Sequence, residues 1–223
     1  MASLFREPVF QLGVQASDII ETFYKALQSS QRLNLNDLLT FGGNSYGDLK
    51  LTINNAFRGA GRIDITPSFL QVDLRDHPRS ANEQFQLCED TLRKALKDVE
   101  ISERRMRAAL WLVCDGGSEA VEAFLGEKGN AALKLDQGAY AALKKEFSLR
   151  FSGLDASKAK KVGLALERSI AEGDLFLQYD HANLGSPGVT QTVNEQFDEA
   201  AKELGILMRH IGLEPKGDHA GPL

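Results

Sequence analysis

A short turn between two predicted elements holds the residues best suited to binding a small anion. The turn reads Asp-Gly-Gly-Ser over residues 115–118. It lies between a predicted strand and a predicted helix start, where free backbone N–H groups can bind an anion, and its glycines permit close approach of a ligand. The candidate ligand-binding residues are Gly116, Gly117, Ser118, Arg105 and His181. The alternative, which the sequence favours, is an ordinary turn in which Ser118 caps a helix.

Two other stretches resemble functional motifs but lack a necessary part. Residues 42–47 are glycine-rich like a phosphate-binding loop, yet Asp48 and Leu49 stand where such a loop needs Lys and Ser or Thr. Asp180 and His181 could serve as a base and its orienting group. Neighbouring residues on an extended chain point to opposite sides, however, so these two cannot form a dyad with each other. We therefore predict no catalytic residues in either stretch.

The histidines of the chain do not form a metal-binding pattern. They are His77, His181, His210 and His219. None pairs with another at i,i+4 or with a cysteine at metal-ligand spacing. A metal site would need ligands from distant parts of the chain, so we predict no metal and no cofactor.

The composition is that of a globular protein with an acidic surface. Of the 223 residues, 43% are hydrophobic and 26% are charged, and the net charge is −5. Nucleic-acid-binding proteins usually have a basic face, so nucleic acid is not a favoured partner. No apolar run reaches the ~18–20 residues of a membrane span, and residues 1–11 lack the apolar core of a secretion signal. Cys88 and Cys114 lie at apolar-periodic positions as predicted free thiols, which indicates a reducing, cytoplasmic location.

Charged residues are dense around two predicted elements in the middle of the chain. Arginines at 104, 105 and 107 lie close in sequence to the basic residues of a predicted helix. Acidic residues are interleaved with them, among them Asp90, Asp98, Glu100 and Glu103. This mixture is typical of a solvated face of both charges, and a local basic patch is the alternative.

Alternating hydrophobic residues predict an antiparallel meander in the first half of the chain. Apolar and polar residues alternate with a period of two over 49–57, 63–65 and 70–74, as they do in half-buried strands. Pro67 interrupts the ladder between the last two segments. Upstream, the patterns predict a strand over 9–14, a helix over 17–29 and a short helical turn over 34–41.

An amphipathic helix over 80–99 follows the meander and has the strongest pattern in the chain. Ser80 and Glu83 have the spacing of a capping box. Apolar residues form one stripe, and polar residues that include Glu89 cover the other side. The next strand, over 105–114, has apolar residues on both faces. Because Trp111 and Val113 lie on its second face, we predict a central strand that is buried on both sides.

The following third of the chain continues with helices and strands. The patterns predict a helix over 118–125 that is broken at 126–130, a helix over 136–145, and strands over 147–151 and 175–179. Over 155–171 two interpretations stay open. Val162, Leu166 and Ile170 have helical spacing, whereas Val162, Leu164 and Leu166 alternate as in a strand. The helix is favoured because the segment is rich in Ala and Lys, with a capping residue before it and a glycine after it.

A long helix over 190–211 carries an apolar seam. The seam covers fewer than three heptads, which is too short to predict a coiled coil. Packing onto the chain's own sheet is favoured, and docking of a second subunit or a partner is the alternative. The candidate interface residues are Val193, Phe197, Leu204 and Ile211.

Together these elements predict an α+β fold. We expect a two-layer sandwich in which helices pack on one face of a mostly antiparallel sheet, with a long C-terminal helix. The length favours a single α+β domain over 1–214, followed by a disordered tail over 215–223.

The order of elements resembles that of a sporadically distributed bacterial α+β family of unknown function. The resemblance rests on Phe69-Leu-Gln-Val-Asp-Leu-Arg75, the amphipathic helix after it, Arg105-Met-Arg-Ala-Ala-Leu-Trp-Leu112, and the strand at 175–179 with a long terminal helix. It covers most of the chain in the order of elements and almost none of it in residue identity. The family's aromatic-Ile-Asn run is absent, since residues 111–114 read Trp-Leu-Val-Cys. The resemblance implies a fold and no activity, and it carries over no functional residues.

The sequence favours one functional class and leaves a second open. A well-patterned core without convergent polar chemistry favours a non-catalytic interaction, assembly or regulatory protein of a bacterial system, with a protein partner or a homo-oligomer. The alternative is an enzyme or sensor that binds a small anionic ligand near the turn at 115–118.

Overall fold

A computed structural model describes most of the chain and divides it into two compact units. The described residues are 1–7, 22, 25, 39–42, 50–57, 61–75, 81–96, 99–133, 147–169, 173–184 and 191–214. Unit 1 comprises Met1–Met106 and Asn183–Leu223, and unit 2 comprises Arg107–Ala182. Among the described residues, no helix is both long enough and apolar enough to cross a membrane.

The described residues form strands and helices. The strands are β1 (Ala2–Phe5), β2 (Leu39–Gly42), β3 (Lys50–Ala56), β4 (Gly61–Ile65), β5 (Phe69–Leu74), β6 (Ile101–Leu112), β7 (Leu149–Asp155), β8 (Lys160–Arg168) and β9 (Leu175–Leu184). The helices are α1 (Ala81–Ala95), α2 (Gly117–Leu133) and α3 (Val193–Ile211). The predicted α+β class, the antiparallel pairing and the C-terminal helix are confirmed.

The strands of unit 1 are hydrogen-bonded in the order β2-β3-β4-β5-β1-β6. The meander predicted from period-two alternation forms β3, β4 and β5, which pair in antiparallel register. The register places Ile53 opposite Ile63 and Ile63 opposite Val72. Since opposite residues share a face, these side chains form one continuous apolar surface, and all of them are buried.

Helices α1 and α3 complete the core of unit 1. Helix α1 contributes Phe85, Cys88 and Leu92 to the same buried cluster, as its apolar stripe predicts. Val193 at the start of α3 joins that cluster. Thr192 and Glu195 form a capping box that fixes where α3 begins, which is slightly later than the predicted boundary at residue 190.

Unit 2 consists of a four-stranded sheet and helix α2. Its strands follow the order β6-β9-β8-β7, counting the parts of β6 and β9 that lie within residues 107–182. Helix α2 packs against β7 and β8. Val121 and Leu125 of the helix are buried, as are Val162, Leu164 and Leu166 of β8.

The favoured helix over 155–171 is wrong, because residues 160–168 form strand β8. Strands β7 and β8 make a hairpin in which Asp155 pairs with Lys160. The carboxylate of Asp155 accepts hydrogen bonds from the backbone N–H groups of Ser157 and Lys158, at 3.1 and 3.2 Å. This aspartate therefore caps a tight turn rather than a helix. The alternation of Val162, Leu164 and Leu166 was the informative pattern, because a strand buries all three on one face.

Two further predictions about helices are wrong. Helix α2 continues through the predicted break at 126–130. Gly129 lies against Phe147, and a Cβ atom at this position would overlap the ring, so the glycine serves helix packing rather than termination. In addition, Leu39–Gly42 pairs with β3 as an edge strand, where a helical turn over 34–41 was predicted.

Several predicted segments lie outside the described residues. They are the strand at 9–14, the helix at 136–145, the tail at 215–223 and most of the helix at 17–29. Within that last segment, the described residues Thr22 and Lys25 are helical.

Candidate functional site

The turn at 115–118 has the backbone geometry that its glycines permit. Gly116 and Gly117 have φ angles of 84° and 65°, in the left-handed region that disfavours other residues. The N–H group of Gly117 donates to the carbonyl oxygen of Cys114 at 3.0 Å. Ser118 follows in the first turn of α2, so both the predicted turn and the predicted helix start are present.

A carboxylate of the chain itself occupies the position that an anionic ligand would take at this turn. Asp174 accepts a hydrogen bond from the backbone N–H of Cys114 at 2.9 Å and another from the hydroxyl of Ser118 at 3.2 Å. Its own N–H donates to the carbonyl oxygen of Leu112 at 2.9 Å. The side chain of Asp174 thus satisfies the turn internally, and the interpretation as an ordinary capped turn is the one that this geometry favours.

The thiol beside this turn is not activated. Burial raises the pKa of Cys114, and the nearby carboxylates of Asp174 and Asp115 raise it further. A thiolate is the reactive form of cysteine, and a raised pKa keeps the thiol protonated at neutral pH. Cys114 therefore lacks the setting of a nucleophile.

The other two residues of the predicted ligand site lie elsewhere. Arg105 belongs to unit 1, where its exposed guanidinium binds Glu103. His181 belongs to unit 2 and is fully buried on β9. Six residues separate it from Leu175, which amounts to about 20 Å along a strand. His181 therefore lies about 20 Å along β9 from Leu175, which follows the Asp174 that contacts the turn.

A buried ionic cluster in unit 1 was not expected from the sequence. Glu89 and Arg104 were predicted to lie on a solvated face, but their side chains are only 3% and 2% exposed. The guanidinium of Arg104 binds both carboxylate oxygens of Glu89, at 3.1 and 2.8 Å. The hydroxyl of Ser3 donates to the same carboxylate at 2.7 Å. Burial of this pair follows from the register, which places Ser3 opposite Arg104 on the face that α1 covers.

This cluster fixes the start of the C-terminal helix. Arg104 donates a further hydrogen bond to the carbonyl oxygen of Gln191 at 2.8 Å, just before the cap of α3. Gln196 on the first turns of α3 donates back to the carbonyl oxygen of Arg104 at 2.9 Å. All these partners are structural elements of unit 1, so the cluster joins α1, β1, β6 and α3 and offers no group for chemistry.

The apolar seam of α3 is largely used within unit 1. Val193 and Leu204 are buried, and Phe197 and Ile211 are partly buried. Helix α3 packs against α1. Residues that are buried inside a unit cannot contact another molecule without unfolding, so Val193 and Leu204 do not belong to a docking surface.

The described side chains on the outer face of unit 2, in contrast, are exposed or half-buried. We define this face as the sheet side opposite α2. Its residues are Arg107, Ala109, Trp111 and Val113 near β6, Phe176, Gln178 and Asp180 on β9, Lys161, Gly163, Ala165 and Glu167 on β8, and Arg150, Ser152 and Leu154 on β7. None of these side chains is buried. Trp111 is 50% exposed, Leu154 64% and Val113 86%, so the prediction that β6 is buried on both sides is wrong at this end.

Contacts between side chains establish which residues share the outer face. The rings of Trp111 and Phe176 lie 5.3 Å apart at an angle of 54°. Arg107 binds Asp180 at 2.5 Å, and Gln178 donates to the same carboxylate at 2.8 Å. A Cβ atom on Gly163 would lie 3.5 Å from the Cβ of Asp180. The face thus carries aromatic side chains at its Trp111 end, and Gly163 and Ser152, next to Lys161 and the exposed Leu154, at its other end.

No family model, no curated protein and no solved structure matches this chain. Within the part of the chain that the structure describes, no group of three or more His, Cys, Asp or Glu residues is placed to hold a metal ion.

Proposed function

We propose that the protein is a non-catalytic interaction protein that binds a protein partner through the outer face of unit 2. The exposed side chains of Trp111 and Val113, with the half-buried ring of Phe176 against Trp111, are the observation that carries the proposal. Large aromatic side chains on a sheet face normally pack against something, because exposing them leaves apolar area in water. A contiguous exposed patch of this kind marks a contact surface.

The residue types on this face support binding to a protein. Trp and Arg dominate the energetics of protein interfaces, and the face combines Trp111 with Arg107 and Arg150. The small residues Ala109, Gly163 and Ala165 let a partner approach the sheet closely. Polar groups such as Gln178 and Asp180 already hydrogen-bond to each other, so they can be covered without losing a partner.

Two observations support a role other than catalysis. The turn at 115–118 binds the chain's own Asp174, and a small anion would have to displace that carboxylate. The buried ion pair of Glu89 and Arg104 is fully used in joining elements of unit 1. The anionic-ligand alternative is accordingly the weaker one.

The location that we propose is the cytoplasm. Cys88 is buried, Cys114 is half-buried, and neither forms a disulfide bond. Cysteines without disulfide bonds are typical of reducing compartments, which is the physical basis of this assignment.

A photocrosslinking experiment tests the proposed function. A photoreactive phenylalanine analogue replaces Trp111 in the full chain, and a second variant carries it at Ile206, an exposed apolar position on α3. After irradiation in extract of the source cells, we expect discrete protein adducts at position 111 and none at position 206. Equal labelling at both positions, or none at 111, would contradict an interaction surface on the outer face.

A further inference from the structure

We infer that the occupant of the outer face is a second copy of this chain, bound face to face about a two-fold axis. The inference rests on the proposed function and names the partner for that surface. It follows from the layout of the face, which is complementary to itself in both shape and charge.

The shape of the outer face consists of a ridge and a floor. The ridge is formed by Trp111, Phe176 and Val113 at one end, with Trp111 and Phe176 in ring contact. The floor lies toward the opposite corner, where Ser152 pairs with Gly163 on neighbouring strands. A large ridge and a bare floor on one face are what an isologous contact needs, since the same patch must fit itself.

The positions of these residues follow from the strand pairing. Arg107 faces Asp180 and Trp111 faces Phe176, so β6 and β9 run antiparallel with these residues opposite each other. Neighbouring strands lie about 4.8 Å apart, and successive residues on one face about 6.6 Å apart. The ridge and the floor therefore occupy opposite corners of a grid, with Gln178 and Ala165 between them.

The proposed two-fold axis lies in the plane of the interface and passes between Gln178 and Ala165, along the diagonal that separates the ridge from the floor. Rotation by 180° about this axis places the ridge of one copy over the floor of the other. On this grid, Trp111 of one copy comes to lie over Gly163 of the second copy. Val113 comes to lie against Leu154 of the second copy, and these two have the highest exposure among the large apolar side chains of the described part of the unit. The dimer would remove from water the apolar surface that Trp111, Val113 and Leu154 expose.

The same half-turn brings opposite charges together. Glu167 next to the ridge lies in the row of Trp111 and Phe176, and Arg150 lies beside the floor. The axis places Glu167 of each copy opposite Arg150 of the other, which makes two symmetric ion pairs. Arg107 meets its own counterpart near the axis, and each Arg107 is already bound to Asp180 of its own chain. Charge complementarity of this kind favours one orientation over others.

The size of the face sets the strength of the dimer. Four strands and four row spacings cover about 400 Å² per copy, or about 800 Å² for the pair. Specific interfaces smaller than about 1,200 Å² belong to the weak and transient class. We therefore expect a reversible dimer that dissociates on dilution rather than a permanent one.

Sedimentation velocity of the full chain over a wide concentration range tests the inference. We expect a reversible monomer–dimer equilibrium. Trp111→Ser should weaken the dimer about tenfold or more, as expected for a central aromatic anchor, and Arg150→Glu should also weaken it because Glu167 of the other copy would then face a like charge. Lys202→Glu changes the charge equally on exposed α3 and serves as the matched control, with no expected effect.

A variant in which the charges of Arg150 and Glu167 are exchanged tests whether these two residues pair between the copies. The double variant Arg150→Glu/Glu167→Arg should recover most of the dimer that Arg150→Glu loses, since the ion pairs are restored with reversed sign. Circular dichroism confirms that each variant is folded. A dimer that is insensitive to Trp111→Ser, or a double variant no better than the single one, would overturn this arrangement.

The outcomes separate this inference from the proposed function. A chain that stays monomeric at all concentrations, yet crosslinks a different protein at position 111, overturns the dimer and leaves the interaction role standing. A monomer that crosslinks nothing at position 111 overturns both.

Discussion

Two arginine–carboxylate pairs on strand β6 have the same chemistry and opposite surroundings. Arg104 binds Glu89 in the interior of unit 1, where the two side chains are 2% and 3% exposed. Arg107 binds Asp180 on the outer face of unit 2, where the corresponding values are 67% and 40%. The two arginines are three residues apart in sequence, and the boundary between the units falls between them.

The two pairs differ in how far they are exposed to solvent and in which other groups bind them. The buried pair is shielded from solvent, so its charges depend on each other, on the hydroxyl of Ser3 and on the guanidinium of Arg93, which lies 3.4 Å from the Glu89 carboxylate. The exposed pair keeps its water, and either charge can be solvated when the other is removed. The pair of Arg104 and Glu89 therefore joins elements of unit 1, and the pair of Arg107 and Asp180 lies on the surface of unit 2.

The largest effect should come from removing one partner of the buried pair. Arg104→Ala leaves the carboxylate of Glu89 without its main partner and also removes the bond to Gln191. We expect the free energy of unfolding to fall by about 3–5 kcal/mol, measured by urea denaturation. Replacing both charges with apolar residues, as Glu89→Leu/Arg104→Met, should be less harmful than Arg104→Ala alone. A double variant as unstable as the single one would show that desolvated charge is not the cause.

Removing the carboxylate at the turn of unit 2 should have a smaller effect. Asp174→Ala leaves the N–H of Cys114 and the hydroxyl of Ser118 without their acceptor, which we expect to cost about 1–3 kcal/mol in thermal or urea unfolding. Asp180→Ala is the matched control on the outer face, where the expected loss is below about 1 kcal/mol. Calorimetric titration with inorganic phosphate should give no heat with the unmodified chain. Measurable heat of phosphate binding to the unmodified chain would support the anionic-ligand alternative.

Asp64 lies between the two extremes and should give stability a dependence on acid pH. Burial alone would raise its pKa, but hydrogen bonds from Thr52, Arg62 and Lys50 outweigh it and hold the pKa below the ordinary 3.8. The distances are 2.6, 3.0 and 3.1 Å. A lowered native pKa contributes stability above pH 3.8, which is lost as the pH falls through the native value.

The test of Asp64 compares the chain with its Asp64→Asn variant in urea at pH 7 and at pH 3. We expect the variant to be less stable at pH 7 and the gap to narrow at pH 3. The effect should be smaller than at Glu89, because the cations on Asp64 are 40% and 47% exposed. A gap that is unchanged by pH would rule out the proposed role of its charge.

The smallest effects on stability should come from the outer face. Arg107→Ala and Trp111→Ser are each expected to change the free energy of unfolding by less than about 1 kcal/mol. Trp111→Ser should nevertheless weaken dimer formation about tenfold or more. Stability and dimer formation are thus expected to depend on different residues. If Trp111→Ser instead unfolds the chain, the tryptophan belongs to the core rather than to a contact surface.

Local patterns in the sequence were sufficient for much of the fold. The alternation in 49–57, 63–65 and 70–74 identified the meander, and the apolar stripe of 80–99 identified the helix that covers it. Residues 160–168 were misassigned because helical and strand spacing coincide at Val162 and Leu166 over so short a segment. The candidate site was only partly predictable. The turn at 115–118 was identified correctly, but Asp174, which occupies it, lies 56 residues away from Ser118 and carries no local signal.

The sequence by itself determined which residues share a side of each strand or helix, because backbone geometry fixes the alternation of side chains. It did not determine which of those sides would be covered. Arg104 and Arg107 read alike in sequence, and so do the apolar residues on the two faces of β6. In unit 1 the long-range pairing of β1 with β6 and the packing of α1 bury Arg104, whereas Arg107 in unit 2 is 67% exposed. Coverage depends on contacts between residues that are distant along the chain, and so the tertiary structure alone decided which charges are buried inside the fold and which aromatic side chains stay exposed.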